Sequence, residues 1–201
     1  MAFNNTLGIS LDVTKVEVDE QLAVDNYITS LDVVLELGAR CGIVSCKLNR
    51  VVGANLVSVE PDTSFHSTLE ANILANGLTV KLEKSAISKV PLNSVPQLTF
   101  DALQTKYSLT FTTLVAFYQP FLEFFFQENP ILYSQLTMVV FNRTSSSISN
   151  FSTIVENLSK NGFGPVQTGY VEVWKKGYVP PPPPPQVIPE PPTMFNPNLK
   201  K

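Results

Sequence analysis

One stretch of the chain, residues 33–61, constrains the fold more than any other. It begins with the apolar run Val-Val-Leu-Glu-Leu at 33–37 and passes through a glycine-containing turn at 38–42. After a helical segment it reaches a second apolar run at 55–59, which ends at Glu60. Such runs are typical of strands that are buried on both faces of a parallel sheet. The order of these features predicts a βαβ unit with a pocket at the carboxyl edge of the sheet.

The residues around this turn suit a nucleoside ligand. Gly38 and Gly42 permit positive φ and a close approach of a ligand to the backbone, and the helix that follows presents free N–H groups. The carboxylate of Glu60 can accept two hydrogen bonds from the hydroxyls of a ribose. An ordinary βαβ unit with a structural glycine turn is the alternative, and the placement of Glu60 favours the nucleoside pocket.

Several segments together resemble one known superfamily. The sequence Glu-Leu-Gly-Ala-Arg-Cys-Gly at 36–42 and Ser-Val-Glu-Pro-Asp at 58–62 is similar to motifs one and two of S-adenosylmethionine-dependent methyltransferases, and within them to the FkbM-like branch. Further similar segments are 71–77, 98–103, 113–116 and 162–175, so the resemblance spans about residues 30–176. The turn with Arg40 resembles FkbM-like proteins of large DNA viruses.

This resemblance implies a fold and a cofactor pocket. The fold is α/β and Rossmann-like, with a mostly parallel sheet over 31–142, helices on both faces and an antiparallel closing strand at 166–175. If the pocket is retained, Glu36, Gly38, Gly42 and Glu60 line it. Arg40 is then expected to project into it.

The chain departs from the family pattern where the chemistry would take place. Relatives carry an acidic segment after the fourth strand, whereas this chain has Phe117-Tyr118-Gln119-Pro120, and Asn142 replaces the glutamate that usually closes the fifth strand. Methyl transfer to a hydroxyl needs a general base or a bound metal. Phenyl, amide and proline side chains supply neither. The degenerate positions Phe117, Gln119, Pro120 and Asn142 therefore predict that no catalytic residues remain, and Phe117 is expected to fill the pocket.

We expect a catalytically inactive methyltransferase-like protein with a structural or interaction role. From the viral resemblance and the proline-rich C-terminal segment we expect a minor capsid or capsid-associated protein of a large DNA virus. It is expected to hold no cofactor, S-adenosylmethionine being the candidate if one binds. The alternative is an active O-methyltransferase that acts on a sugar or small-molecule hydroxyl. A third hypothesis keeps cofactor binding without catalysis.

The charge and the apolar pattern of the chain argue against two kinds of partner, nucleic acid and the membrane interior. The net charge is −3 and the chain has no basic run, so direct binding to nucleic acid is not expected. The most apolar stretch, 109–126, is interrupted by Gln119, Pro120 and Glu123, which argues against a membrane span. The N-terminus does not resemble a signal peptide, so the expected location is the virion, or otherwise the cytoplasm.

Single residues add little chemistry. Cys41 and Cys46 are predicted to lie on one helix as free thiols, and the lone histidine, His66, on a surface helix, so no metal site is expected. Alternation at 11–18 suggests a short strand that leads into the fold. The aromatic run at 121–126 predicts a core helix, with an exposed interface patch as the alternative.

The sequence divides into a domain, 1–177, and a tail, 178–201. Six consecutive prolines, Pro180 to Pro185, begin the tail, and further prolines follow. Such a segment is extended or polyproline II and has no internal hydrogen bonds. We expect it to contact protein partners in a larger assembly, with Met194 and Phe195 as the apolar anchors.

Overall fold

The computed structural model describes residues 2–91, 95–118, 121–143 and 150–182. The helices in these ranges are α1 (Val18–Tyr27), α2 (Ile43–Val52), α3 (Thr63–Ala75), α4 (Phe100–Tyr107), α5 (Leu122–Glu128), α6 (Leu132–Gln135) and α7 (Phe151–Lys160). The strands are β1 (Val34–Leu37), β2 (Leu56–Val59), β3 (Lys81–Glu83), β4 (Ala86–Ile87), β5 (Gln97–Leu98), β6 (Thr113–Ala116), β7 (Met138–Asn142), β8 (Phe163–Gln167) and β9 (Val171–Lys176).

Seven of these strands form one sheet in the order β3-β2-β1-β6-β7-β9-β8. The strands from β3 to β7 in this order are parallel. Strand β9 is antiparallel to both of its neighbours, β7 and β8. The predicted Rossmann-like fold is thereby confirmed. The single closing strand expected at 166–175 is instead a hairpin, because residues 168–170, with Gly169 at φ 138°, turn the chain between β8 and β9.

Helices cover both faces of the sheet. Helices α4 to α7 pack on the face that carries Leu35, Leu114 and Val139. Helices α1 and α2 pack on the opposite face, against Val34 and Val115. The central strands are buried along their whole length, which explains why they read as continuous apolar runs.

The N-terminal prediction was wrong in one respect. Residues 2–17 contain one isolated bridge, Asn4 to Ser10, and α1 begins at Val18. The chain turns at residues 13–17, where Glu17 has a φ of 53° that an extended strand does not allow. Helix α1 then packs Ala23 and Val24 against Val44 and Leu48 of α2.

The aromatic run at 121–126 is divided between the core and the surface. Leu122, Phe125 and Phe126 are buried in the core, whereas Phe121 is 56% and Phe124 is 48% exposed.

A further correction concerns the cysteines, since α2 begins at Ile43 and Cys41 therefore lies in the preceding turn. Both thiols are free.

Several predicted residues fall beyond these ranges. Gln119, Pro120, Pro185, Met194 and Phe195 lie outside the described residues, and Pro180 is exposed. No helix of the described ranges is long and apolar enough to cross a membrane.

Candidate functional site

The carboxyl ends of four parallel strands meet at one edge of the sheet. Leu37 pairs in register with Val59 of β2 and with Ala116 of β6, and Ala116 pairs with Phe141 of β7. The residues that follow these strands are therefore brought together. We call the group formed by the turn at 38–42 with Glu60, Tyr118 and Asn142 the edge site.

The turn after β1 is tightly built. Gly38, Arg40 and Gly42 all have positive φ, at 86°, 49° and 83°. The N–H groups of Gly38 and Ala39 both donate to the carbonyl of Val59, at 3.0 and 3.1 Å. A Cβ at Gly42 would lie 2.7 Å from Cδ1 of Leu69, so α3 packs closely against this turn.

Glu60 fixes the turn to the end of β2. Its Oε2 accepts from the backbone N–H of Arg40 at 2.8 Å, and its Oε1 accepts from the N–H of Asp62 at 2.9 Å. The side chain is 5% exposed. Burial raises the pKa of this carboxyl, and the two backbone hydrogen bonds oppose that rise. The carboxylate that was predicted to hold a ribose thus already accepts one backbone N–H at each of its oxygens.

The side chain of Arg40 crosses the edge site. Its guanidinium carbon lies 4.2 Å from the ring centroid of Tyr118 and 5.6 Å from that of Phe65 on α3. One guanidinium nitrogen lies 3.8 Å from Oε1 of Glu17. Cation–π contacts and a half-buried ion pair hold the cation in this place.

Glu36 lies within the sheet rather than at an open surface. It is 1% exposed and accepts a hydrogen bond from Ser58 Oγ at 2.5 Å. Burial raises the pKa of Glu36 to about 7, although Ser58 and Ser45 favour the charged form. The hydroxyl of Ser45 is buried nearby and lacks a hydrogen bond of ordinary geometry.

The two described degenerate positions have structural partners. Phe117 is 2% exposed and belongs to the core beneath α1. Asn142 accepts from the backbone N–H of Tyr118 at 2.9 Å and donates to Glu20 Oε1 at 2.8 Å. Its amide nitrogen also lies 3.2 Å from the hydroxyl of Tyr170. Asn142 therefore ties β6, α1 and the β8–β9 turn together.

The carboxylates that α1 brings to this edge belong to no recognisable sequence motif. Glu20 is buried and bonded to Asn142, and Glu17 directly precedes α1 and lies beside Arg40. Burial raises the pKa of Glu17 to about 7, against the opposing effect of Arg40. Both residues precede β1, and only the tertiary position of α1 brings them here. Tyr118 and Tyr170, which follow β6 and precede β9, were not expected at the site either, and burial raises the pKa of each.

The chemistry open to the edge site is proton transfer. Glu17 exchanges a proton near neutral pH, which is the range that suits a general base. The described ranges hold no group of three or more His, Cys, Asp or Glu residues that is suited to a metal ion. A surface cavity at the opposite ends of β2 and β3, lined by Leu56 and Lys81 among others, is separate from this site.

Comparisons with known proteins agree on the fold. No family model matches the sequence, and no curated protein matches it. Solved structures do match. One is the ribosomal protein L11 methylase of Lactobacillus delbrueckii subsp. bulgaricus, at 17% identity and a TM-score of 0.54, over 88% of this chain and 82% of that one. A second is a methyltransferase of Pyrococcus furiosus, at 15% identity and a TM-score of 0.52, over 82% of this chain and 84% of that one.

A third match is a protein of the NADB-Rossmann superfamily from Streptococcus agalactiae, at 14% identity and a TM-score of 0.56, over 85% of this chain and 71% of that one. Likeness at this level of identity establishes the fold alone. The chain therefore has the Rossmann-like fold found in S-adenosylmethionine-dependent methyltransferases, and membership of the FkbM-like branch stays a prediction.

Proposed function

We propose that this chain is a methyltransferase-like protein without methyl-transfer activity, which serves as a structural or interaction component of a protein assembly. The Rossmann-like fold, which solved methyltransferase structures share, supports the methyltransferase-like part of the proposal. The arrangement of Arg40 at the edge site is the observation that carries the proposal.

The residues at the edge site do not fit S-adenosylmethionine in this arrangement. The cofactor carries a cationic sulfonium and a ribose diol. Here the guanidinium of Arg40 takes the place beside the aromatic rings of Tyr118 and Phe65. Each oxygen of Glu60 already accepts a backbone N–H. A ligand that needs both features must displace Arg40 and share Glu60.

The ends of β6 and β7 support the same proposal. Phe117 contributes to the core, and Asn142 uses its amide to hold Glu20 and the backbone of Tyr118. Glu20 is therefore occupied as a hydrogen-bond acceptor. These residues stabilise the fold where relatives of the predicted family carry acidic residues.

One observation favours the alternative of an active O-methyltransferase. Glu17 lies at the edge site, and its carboxyl titrates near neutral pH because it is buried. A carboxylate of this kind suits a general base that activates a hydroxyl. The glycine turn also keeps its positive φ values.

Calorimetric titration with S-adenosylmethionine tests whether Arg40 keeps the cofactor out of the edge site. The wild-type protein should give no binding heat at micromolar to millimolar cofactor. Arg40→Ala removes the side chain that crosses the site and should bind more tightly than wild type. Arg50→Ala, an exposed arginine at the end of α2, is the matched control and should behave as wild type. Micromolar binding by the wild type would contradict the proposal.

A turnover assay separates the two functions. S-adenosylhomocysteine formation is followed with a panel of sugar and small-molecule hydroxyl acceptors. The proposal expects no product above the protein-free background. Product that disappears in Glu17→Gln would establish the alternative, with Glu17 as its base.

The assembly role depends on the proline-rich tail and the viral resemblance. We propose that the tail contacts protein partners, with Met194 and Phe195 as anchors. A minor capsid or capsid-associated protein should be recovered from purified virus particles in a fixed ratio to the major capsid protein. Loss of the protein on washing the particles with salt would argue against this role.

A further inference from the structure

The two edges of the seven-stranded sheet differ in how they are protected. Strand β8 at one edge contains Pro165, which has no N–H, and a bulge between Pro165 and Gln167 interrupts its pairing with β9. Prolines and bulges keep an edge strand from pairing with another chain. Strand β3 forms the other edge and has neither feature. We call residues 78–82, which lead into β3 and contain its first two residues, the β3 edge.

The backbone of β3 shows which of its groups point outward. The carbonyl of Glu83 accepts from the N–H of Glu60 at 2.9 Å, so Glu83 faces β2. Successive residues of a strand face opposite sides, so Leu82 faces outward, and Val80 does too. The carbonyl of Leu82 accordingly accepts from the hydroxyl of Tyr107 on α4, at 3.0 Å. Leu82 thus keeps only its N–H for another strand.

Residues 78 and 79, which precede β3, continue this alternation. The carbonyl of Thr79 faces inward, because it accepts from the amide of Asn49 on α2 at 3.1 Å. Leu78 therefore faces outward, and its N–H already donates to the carbonyl of Ile73 at 3.2 Å. Four outward groups of the β3 edge have no hydrogen-bond partner among the described residues: the Leu78 carbonyl, the Val80 N–H and carbonyl, and the Leu82 N–H.

These four groups are complementary to themselves under a two-fold rotation. When two β3 edges lie antiparallel with Val80 opposite Val80, each Val80 N–H meets the Val80 carbonyl of the second copy. Each Leu82 N–H then meets the Leu78 carbonyl of the second copy. All four groups of each edge are used. The two groups that this arrangement would also face, the Leu78 N–H and the Leu82 carbonyl, are already bonded within each chain.

The apolar side chains of the edge agree with the same register. Leu78, Val80 and Leu82 pack toward α3, and Leu74 of α3 is 78% exposed beside them. In the two-fold arrangement this apolar row continues from one copy into the other, with Val80 beside Val80 and Leu82 beside Leu78. Covering these partly exposed side chains favours association.

Charge selects this register over the neighbouring one. Centred on Val80, the pairing places Lys81 opposite Thr79 of the second copy, so that no charge faces a like charge. A register centred on Lys81 places two ammonium groups opposite each other, which destabilises a sheet. Within its own chain Lys81 donates through Nζ to the carbonyl of Ala54, which precedes β2, at 2.6 Å. The ammonium group is therefore turned back from the edge.

We propose that two copies of this chain pair antiparallel through their β3 edges, centred on Val80, and so form one continuous sheet. The β3 edge shares no residue with the edge site. The pairing is therefore independent of the proposed loss of methyl transfer, and either can fail without the other.

Light scattering at a series of concentrations measures the association. The monomer has a mass of 22.2 kDa, and the wild type should approach twice that mass as its concentration rises to about 0.1 mM. Amide hydrogen exchange at the same concentrations locates the contact. Exchange of the Val80 and Leu82 N–H groups should slow as concentration rises, whereas that of Lys81, which already faces β2, should stay constant. A monomer at every concentration, or a dimer with unchanged exchange at Val80 and Leu82, would overturn the proposal.

Charged variants at position 79 test the register. Thr79 is exposed, so its replacement leaves the core intact. Thr79→Glu should tighten the dimer and Thr79→Lys should weaken it, because each introduces two charges opposite Lys81. The dissociation constant should change by about 2- to 30-fold in each direction. Ser152→Glu and Ser152→Lys, at an exposed position of α7, are the matched controls and should match wild type.

The sign of the effect distinguishes the two registers. A register centred on Lys81 places Thr79 opposite Glu83, so Thr79→Lys would then tighten the dimer and Thr79→Glu would weaken it. That order would overturn the pairing centred on Val80. Equal dissociation constants for the two variants would do the same.

Discussion

At the residue scale, the position of Glu60 was predicted correctly, but its hydrogen-bond partners were not. The sequence placed it at the end of β2, where the structure has it. Its partners are the backbone N–H groups of Arg40 and Asp62. A sequence motif fixes where the carboxylate lies, because strand and turn are local. It does not fix what the carboxylate binds, since that depends on the path of the neighbouring turn.

Glu60→Gln should therefore destabilise the fold. The amide keeps one oxygen as an acceptor, but its NH₂ group faces an N–H donor. Leaving a buried donor unpaired costs about 1–3 kcal/mol. Urea unfolding, followed by the fluorescence of the single tryptophan, Trp174, measures this loss. Glu70→Gln on the exposed side of α3 breaks only a surface ion pair with Lys84 and should cost less than about 1 kcal/mol. Equal losses in the two variants would contradict the role given to Glu60.

The buried carboxyl of Glu36 should give the free energy of unfolding an unusual dependence on pH. Burial raises its pKa to about 7, well above that of an unfolded glutamate at about 4.3. Between these values the folded state holds a proton that the unfolded state releases. The free energy of unfolding should therefore fall as pH rises from about 4.5 to 7. Glu17, whose pKa is also raised to about 7, adds to the same trend.

Glu36→Gln should remove the part of this decrease in the free energy of unfolding that Glu36 causes. That part is on the order of 1–3 kcal/mol between pH 5 and 7.5. Urea unfolding at the two pH values measures the difference for each protein. Glu156→Gln is the control, since the pKa of that exposed carboxyl is lowered and it titrates below this window. An unchanged difference in Glu36→Gln would show that Glu36 is charged in the folded protein.

At the scale of elements, the sequence predicted the central strands well because each is a continuous apolar run. Helix α7 has local signals of its own, since Asn150 caps it through its side chain and Gly162 follows its end with positive φ. Helix α1 was not predicted, because its burial depends on α2 and not on its own periodicity. The same cause hid Glu17 and Glu20 from the candidate site.

The packing of the β1–α2 turn against α3 gives a prediction at this scale. Gly42→Ala introduces a Cβ 2.7 Å from Leu69 at a positive φ, and it should destabilise the protein by about 1–3 kcal/mol. Gly77→Ala is the matched control, since Gly77 also has positive φ, at 65°, but nothing lies within 4 Å of its Cβ. It should cost only the conformational strain, about 1 kcal/mol. Thermal unfolding of both variants distinguishes the clash from the strain.

At the scale of the whole molecule, the boundary between domain and tail is set by the last strand. Strand β9 ends at Lys176, whereas Val179 to Pro182 are exposed and Tyr178 is half-buried against β8. The sequence placed the boundary at residue 177 from the onset of the prolines. It did not show that Tyr178 belongs to the domain, because that contact requires Gly164 on another strand.

Two truncations test where the domain ends. Removal of residues 183–201 should leave the free energy of unfolding within about 0.5 kcal/mol of the full-length value, because the residues before the cut already lie in solvent. Removal of residues 178–201 should also leave a folded, soluble domain, but at a cost of about 1 kcal/mol, because it deletes Tyr178 and the bond from its N–H to the Lys175 carbonyl. Urea unfolding of the three proteins under the same conditions measures both steps. A large loss in the shorter truncation would mean that the proline-rich segment is part of the cooperative unit. No difference between the two truncations would return the boundary to residue 177.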